Sequence, residues 1–269
     1  MQAVHPIEQL RYVARASGAD ATLLVQEAAS ALGVFAQDPP GLVTACRRLL
    51  TRQPEVGPLW WMSARLVTTS DARAEARRVI SELGSDPTSR NLSHDLPDSA
   101  RILIAGWPDM IVGALPRRGD VSVLVLDVEG QGHSVVRRLD RADVVAEQVD
   151  PAHVVGAVEE SSLVLLEAAA VGPAAALVDV GSVAAAAVAR VANVPVWLVA
   201  GVGRHLPEAY WQAIVERTAD PDVPAFLAPY EILSLGLVDR LVTPVGVQMP
   251  GELGVPDCPV AQELLRELA

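Results

Sequence analysis

Four side chains in the back half of the chain, Asp109, Asp127, His133 and His205, have the chemistry of general acids or bases. Each ends or closely follows a short apolar run. A carboxylate or imidazole placed there can move a proton on a substrate within hydrogen-bond reach. Solvated loop carboxylates and unpartnered surface histidines are the plainer reading of the same residues. The acids at these run ends, Asp109, Asp127, Glu129 and Glu167, have no ligand spacing that names a metal, so no metal is expected. Backbone is also bare nearby, at Gly106, at Gly130 and Gly132, and at Gly201 and Gly203 next to Arg204. Such glycines before a helix can bind an anion through amides, or they can simply turn the chain. Neither pair completes GxGxxG and no P-loop is present, so no nucleotide cofactor is expected. No serine sits in GxSxG, and Cys46 falls inside a helical stretch, which leaves nucleophilic catalysis without a carrier.

These residues need elements to hold them, and the apolar rhythm supplies two kinds. Leu10, Val13 and Ala14, then Leu23, Leu24, Ala28 and Leu32, recur at three- and four-residue steps, the period of helices. Asp20 stands where an N-cap belongs and Gly33 where a stop belongs. Pro39-Pro40-Gly41 precedes a helix over 42–52, Pro54 to Pro58 another over 59–68, and Asp71 caps a last one running to Leu83 and Gly84. Residues 85–98, rich in Ser, Asp, Pro and Asn, read as a linker. Short apolar runs then appear at 101–105, 121–127, 143–149, 162–167, 194–200 and 238–243, most of them separated by helical stretches. Strands apolar on both faces belong to a parallel sheet covered on each side. The spacing therefore predicts an α/β protein, with a helical domain over 1–92 and a Rossmann-like doubly wound domain over 98–269. In such a sheet ligands bind outside the carboxyl ends of the strands, where the side chains named above fall, with Asp150 and His153 after the third run and Gly172 after the fourth.

Composition narrows the classes. Apolar residues make up 51% of 269 and charged ones 20%, enough for a real core. Aromatic residues reach only 4%, which disfavours an aromatic-lined cavity. A net charge of −12 argues against nucleic acid and against an anionic membrane surface. Cys46 and Cys258 form no disulfide framework or metal spacing. Residues 183–202 are apolar, but Arg190, Asn193 and Pro195 interrupt them, so a buried helix, a turn and a buried strand are expected instead of a membrane span. No signal peptide is expected either, and the cytoplasm is the expected compartment. Trp60-Trp61, near a helix start, suits either an exposed anchor for a partner helix or core packing.

The order of segments resembles one family over nearly the whole chain. It unites the alpha, beta and delta regulatory subunits of initiation factor 2B with methylthioribose-1-phosphate isomerase and ribose-1,5-bisphosphate isomerase. Leu10-Arg11-Tyr12-Val13 with Gly18-Ala19 resembles that family's early helix and Gly-Ala turn. Residues 53–61, Gln-Pro-Glu-Val-Gly-Pro-Leu-Trp-Trp, stand where members have a phosphate loop, Arg-Pro-Thr-Ala-Val-Asn-Leu. Ile102-Leu103-Ile104 resembles the start of the Rossmann-like half, and residues 149–154 the Asp-Ser-Ala-Val turn. Val171-Gly172 stands where a Gly-Ala-Asp motif begins, Gly181-Ser182 matches a later Gly-Thr, and Val194-Pro195-Val196 matches Val-Pro-Val. Residues 228–233 and 242–246 are similar to the closing motifs.

The departures bear on activity. The resemblance implies a cysteine after the first Rossmann strand and the aspartate of Gly-Ala-Asp as the acid/base pair of the isomerases. Here both cysteines are remote from that strand end, Ala174 takes the aspartate position, and the Asn-Gly…Asn-Lys loop that follows in relatives is missing, the stretch from Gly172 to Pro195 being shorter. Gln53 replaces the phosphate-loop arginine, with Arg52 beside it, and Glu129-Gly130 replaces an Arg-Pro. Isomerising a sugar phosphate needs a proton acceptor and groups that neutralise a dianion. This chain offers acids where cations belong. The resemblance thus implies a divergent relative without isomerase activity, a homodimer joined through the Rossmann-like half, acting on a protein partner or a small metabolite. The alternative is an enzyme with a relocated site built from Asp109, Asp127, His133 or His205. Arg52, Gly106, Gly130, Gly132, Gly201 and Arg204 are the residues expected to contact a ligand in either case.

Overall fold

The computed structural model describes residues 21–128 and 130–266. The first expected helix up to Asp20, the Gly18-Ala19 turn and Glu129 lie outside them. Two compact units form, and they are not simple front and back halves. The first comprises Met1–Asp86, Val202–Ala219 and Val255–Ala269, the second Pro87–Gly201 and Asp220–Gly254. The division expected from sequence, 1–92 and 98–269, differs because two late helical segments pack with the first unit.

In the first unit local chemistry starts the helices. α1 spans Ala21–Leu32. α2, Pro39–Arg52, begins with two prolines whose missing amides cost nothing at a helix start, and the Asp38 carboxylate accepts from Gly41 N. α3 is Gly57–Thr68 and α4 is Ala72–Gly84, the latter capped by Asp71 accepting from Ala74 N at 2.9 Å. Trp60 and Trp61 are 0% and 3% exposed, so they pack in the core and do not form a surface anchor. Trp60 lies against Tyr210 (ring centroids 5.4 Å apart) and donates to Pro54 O, while Trp61 donates to Asp257 O. The late segments join through these rings. Tyr210 Oη donates to Pro259 O and accepts from Ala261 N, and Arg217 donates to Leu264 O.

The second unit opens on helix α5, Thr88–Asp95, where the composition suggested a linker. Its polar residues serve as helix surface and ends. Arg118 donates to Ser93 O and Leu96 O and pairs with Asp98 and Asp120, which satisfies carbonyls that a helix end leaves open. Beyond it the chain alternates: β1 Arg101–Ala105, α6 Asp109–Ala114, β2 Ser122–Leu126, α7 Gly132–Asp140, β3 Val145–Val149, α8 Val154–Glu159, β4 Leu163–Val171, β5 Ala175–Asp179, α9 Ser182–Ala192 and β6 Val196–Val199. α10, Glu208–Thr218, belongs to the first unit, and β7 Tyr230–Ser234, β8 Arg240–Thr243 and β9 Gly246–Gln248 to the second.

Strand order is β3-β2-β1-β4-β6-β8-β9, all neighbours parallel except β8 and β9. Alternate residues of the central strands enter two separate cores. Leu103, Leu124, Val164, Leu166 and Leu198 face one side; Ile102, Ile104, Val123, Val125 and Leu165 face the other. That two-sided burial explains the near-continuous apolar runs. β4 continues past the parallel sheet. Its last residues pair antiparallel with β5, which pairs antiparallel with β7. The tip of this hairpin is tight, with Gly172 N donating to Ala175 O. The apolar stretch at 183–202 is α9, a turn with Asn193 left-handed at φ 56°, and β6. Among the described residues no helix is long and apolar enough to cross a membrane.

Candidate functional site at the strand ends

The order of the parallel strands reverses between β1 and β4, and the crevice of a doubly wound sheet opens at that switch point. At its floor stands Gly106, at φ +69°, a left-handed conformation that suits glycine. A Cβ there would come within 2.2 Å of Asp179 Oδ2, so the Asp179 carboxylate closes over the turn and accepts from Trp107 N at 3.2 Å. Trp107 Nε1 donates to Asp109 Oδ1, which also receives Arg138 Nη1 at 2.7 Å, and the guanidinium lies 5.9 Å from the indole centroid. Asp109 is thereby held in an internal ion pair.

The acid at the end of the parallel part of β4 is Glu167. Its Oε2 accepts from Met110 N at 2.9 Å and from Ile111 N at 3.3 Å, both in the first turn of α6. Ala174, matched to the family's aspartate, instead follows the hairpin tip, and Val171 ends β4. Asp127, after β2, accepts from Gly132 N at 2.9 Å, the first residue of α7, and from Gln148 Nε2. A Cβ on Gly132 would lie 2.7 Å from Asp127 Cβ, so glycine there permits the helix start to sit on the carboxylate. Glu231, on β7, accepts from Val183 N in the first turn of α9 at 2.8 Å. Helix N-termini carry partial positive charge and open amides. Here side-chain carboxylates of the same chain occupy them at three helices, each such bond contributing about 1.5–3 kcal/mol against an uncapped amide.

The other expected residues divide between the units. His133 is exposed in the first turn of α7 and His153 is exposed at a short turn before α8. Gly130, at φ +76°, has open space around it. Gly201 is buried at the end of the β6 segment. Arg52, Arg204 and His205 belong to the helical unit, so the second unit alone holds Asp109, Asp127 and His133 together on the strand-end side. Arg52 is exposed at the end of α2, and Arg204 is buried with bonds of its own. Burial lowers the pKa of His205 from 6.5. Gly203, the second glycine of its pair, has φ +77°, and a Cβ there would meet the Trp61 ring at 2.9 Å. That glycine serves packing within the helical unit. Val202 N, beside it, donates to Asp86. Cys46 and Cys258 are buried, and burial pushes both thiols up to about 12. Among the described residues no cluster of three His, Cys, Asp or Glu side chains is placed to hold a metal ion.

Reading along the chain did not single out Asp179 or Glu231. A signal existed for one of them: Asp179 stands two residues before Gly181-Ser182, a glycine-opened helix start. Nothing in the local pattern around Glu231 marks it as a cap for a helix that begins 49 residues earlier, at Ser182.

No protein-family model and no curated protein matches the sequence. Solved structures do match in fold. The translation initiation factor eIF-2B of Pyrococcus horikoshii OT3 superposes with a TM-score of 0.77 at 12% identity, over 92% of this chain and 98% of that one. A chain of the tetrameric eIF2B-beta2-delta2 complex from Chaetomium thermophilum gives 0.73 at 15% identity, over 93% and 92%. The 5-methylthioribose 1-phosphate isomerase of P. horikoshii OT3 gives 0.66 at 14% identity, over 91% and 84%. The chain has the fold shared by these proteins, as the resemblance of its segments implied.

Proposed function

We propose that this chain is a divergent, non-catalytic relative of the initiation factor 2B subunits and sugar-phosphate isomerases, which acts as a homodimer in the cytoplasm by binding another protein. One observation carries the reading: carboxylates of the chain itself accept the helix amides at the strand ends. Asp127 takes Gly132 N, Glu167 takes Met110 N and Ile111 N, and Glu231 takes Val183 N. Those are the groups an anionic substrate would need. A phosphate brought beside a fixed carboxylate is repelled by roughly 4 kcal/mol per pair of unit charges 4 Å apart at an effective dielectric of 20. Asp109, the candidate base nearest the switch point, is neutralised by Arg138. Partners in the structures of the same fold support a protein-binding role, since one of them is the eIF2B-beta2-delta2 tetramer.

Thermal unfolding with a panel of sugar phosphates tests this. A ligand present at a hundredfold its Kd adds about 2.7 kcal/mol, a rise of about 5–10 °C for a chain of this size. No sugar phosphate is expected to raise Tm. A saturable rise with one of them would revive an enzyme with a relocated site.

A further inference from the structure

We propose that the helical unit carries a groove for an extended segment of a partner protein, and that residues 255–266 of this chain lie in it as a displaceable strap. This rests on the protein-binding reading above and locates it.

The strap has little structure of its own. Residues 255–261 are irregular, with Pro256 and Pro259 on either side of Cys258, and one helical turn, Gln262–Leu265, follows. Four bonds to it share one pattern, in which a side chain of the helical unit donates to a backbone carbonyl of the strap. Trp61 Nε1 donates to Asp257 O at 3.0 Å, Tyr210 Oη to Pro259 O at 3.1 Å, Arg217 Nη2 to Leu264 O at 3.3 Å and Arg47 Nε to Arg266 O at 3.1 Å. Tyr210 Oη also accepts from Ala261 N at 2.7 Å. Bonds to main chain give affinity for any extended segment, and pockets for particular side chains add the selection. Here every third residue turns inward. Cys258, Ala261 and Leu264 are buried, whereas Asp257, Val260 and Glu263 are exposed.

The donors are fixed by contacts outside the strap. The Arg217 guanidinium lies 4.8 Å from the Trp60 ring centroid, and Trp60 packs on Tyr210 and donates to Pro54 O. Arg65 lies 4.6 Å from the Trp61 centroid and is itself paired with Glu75 and Glu82. Donors set in place before their acceptors arrive lose little freedom on binding. The strap also has an exit: a Cβ on Gly251 or Gly254 would meet nothing within 4 Å, and Val255 is 93% exposed. The strap itself is the template for the occupant. It is a partner segment that runs extended, presents two small residues and then a leucine at three-residue spacing, and closes in a helical turn.

A synthetic peptide with the sequence of residues 255–266, carrying Cys258→Ser, tests the groove on the full chain. A tethered segment competes at an effective concentration on the order of millimolar. Millimolar peptide should therefore release the strap and let Cys258 react saturably with an aromatic disulfide, while Cys46, buried on α2, stays shielded. A peptide that also carries Leu264→Asp lacks the buried anchor and should need at least about tenfold more. In a second readout, fluorescence anisotropy, the Leu264→Asp chain should bind the first peptide at least about tenfold more tightly than the wild type does, because its own strap competes less. Circular dichroism checks that this variant is folded, and the thiol readout on the unmodified chain decides if it is not. Cys258 shielded at every peptide concentration, or Cys46 released along with it, would overturn the groove and make the strap a fixed part of the core. A folded Leu264→Asp chain that binds no more peptide than the wild type would overturn it as well. Either failure leaves the protein-binding reading to another surface, and the sugar-phosphate panel tests that reading separately.

Discussion

The carboxyl ends of the parallel strands and the edge of β7 lie in the same unit and receive opposite chemistry. At the strand ends Asp109, Asp127, Glu167 and Asp179 all turn inward, to amides, an indole or a guanidinium of the same chain. At the β7 edge apolar side chains and backbone groups turn outward. In an α/β fold the first region is where small ligands ordinarily bind. Here the carboxylates hold the turns, whereas beside β7 the exposed side chains Phe226, Leu227 and Ile232 are apolar. A fold keeps its crevice geometrically after the groups that made it useful have been redirected.

The comparison breaks most readily at Gly106. Replacing it with valine forces a β-branched residue to φ +69° and drives its side chain into Asp179, with about 3 kcal/mol or more of stability lost. Urea unfolding should register that loss with little change in slope. A neutral result would mean that the strand-end turn is loose enough to admit a ligand.

Glu167→Ala should cost less, about 1–3 kcal/mol, by leaving the Met110 and Ile111 amides without their acceptor. The same variant sharpens the contrast, since an emptied helix start should gain a weak response to inorganic phosphate that the wild type lacks.

Titration gives a smaller effect in the other unit. Burial lowers the folded-state pKa of His205 below its usual 6.5, so the unfolded chain binds the proton more tightly. The contribution of neutral His205 is present above pH 6.5 and is lost as pH falls through the lowered folded value. A His205→Gln variant should show a flatter pH profile of stability below pH 6.5. Neither thiol should react with an aromatic disulfide in the native state near pH 8, since Cys46 and Cys258 are buried and raised to about 12, and both should react on unfolding.

Much of the fold was legible because burial writes itself into composition. β1 was expected over 101–105 and is found there, and β2, β6 and β8 fall within their expected runs, since strands covered on both faces must be apolar throughout; β3 also lies within its run, although most of its residues are exposed. Asp71 and Pro39-Pro40 marked helix starts because capping is local. β5 was not legible. Ala175, Ala176 and Leu177 favour helix by propensity, and only pairing with β4 and β7 makes them a strand. The linker expected at 85–98 became α5 because Ser89 donates to Met110 O, Asn91 to Thr243 O, and Arg118 to the backbone carbonyls at its end, partners that local spacing does not reveal. At the site, the residue types at the strand ends were readable, whereas their engagement was not. Asp127 meets Gly132 five residues on, but Glu167 meets Met110 across 57 residues and Asp179 meets Trp107 across 72.

The central claim is that the strand-end amides are already occupied, and amide chemical shifts read that directly. The measurement is a titration of the isotope-labelled chain with a sugar phosphate, following Gly132, Met110, Ile111 and Val183 N–H. The account predicts that these four resonances stay in place through millimolar ligand. A saturable shift of Gly132 and Met110 together would show that the carboxylates yield to an anion, and would contradict it.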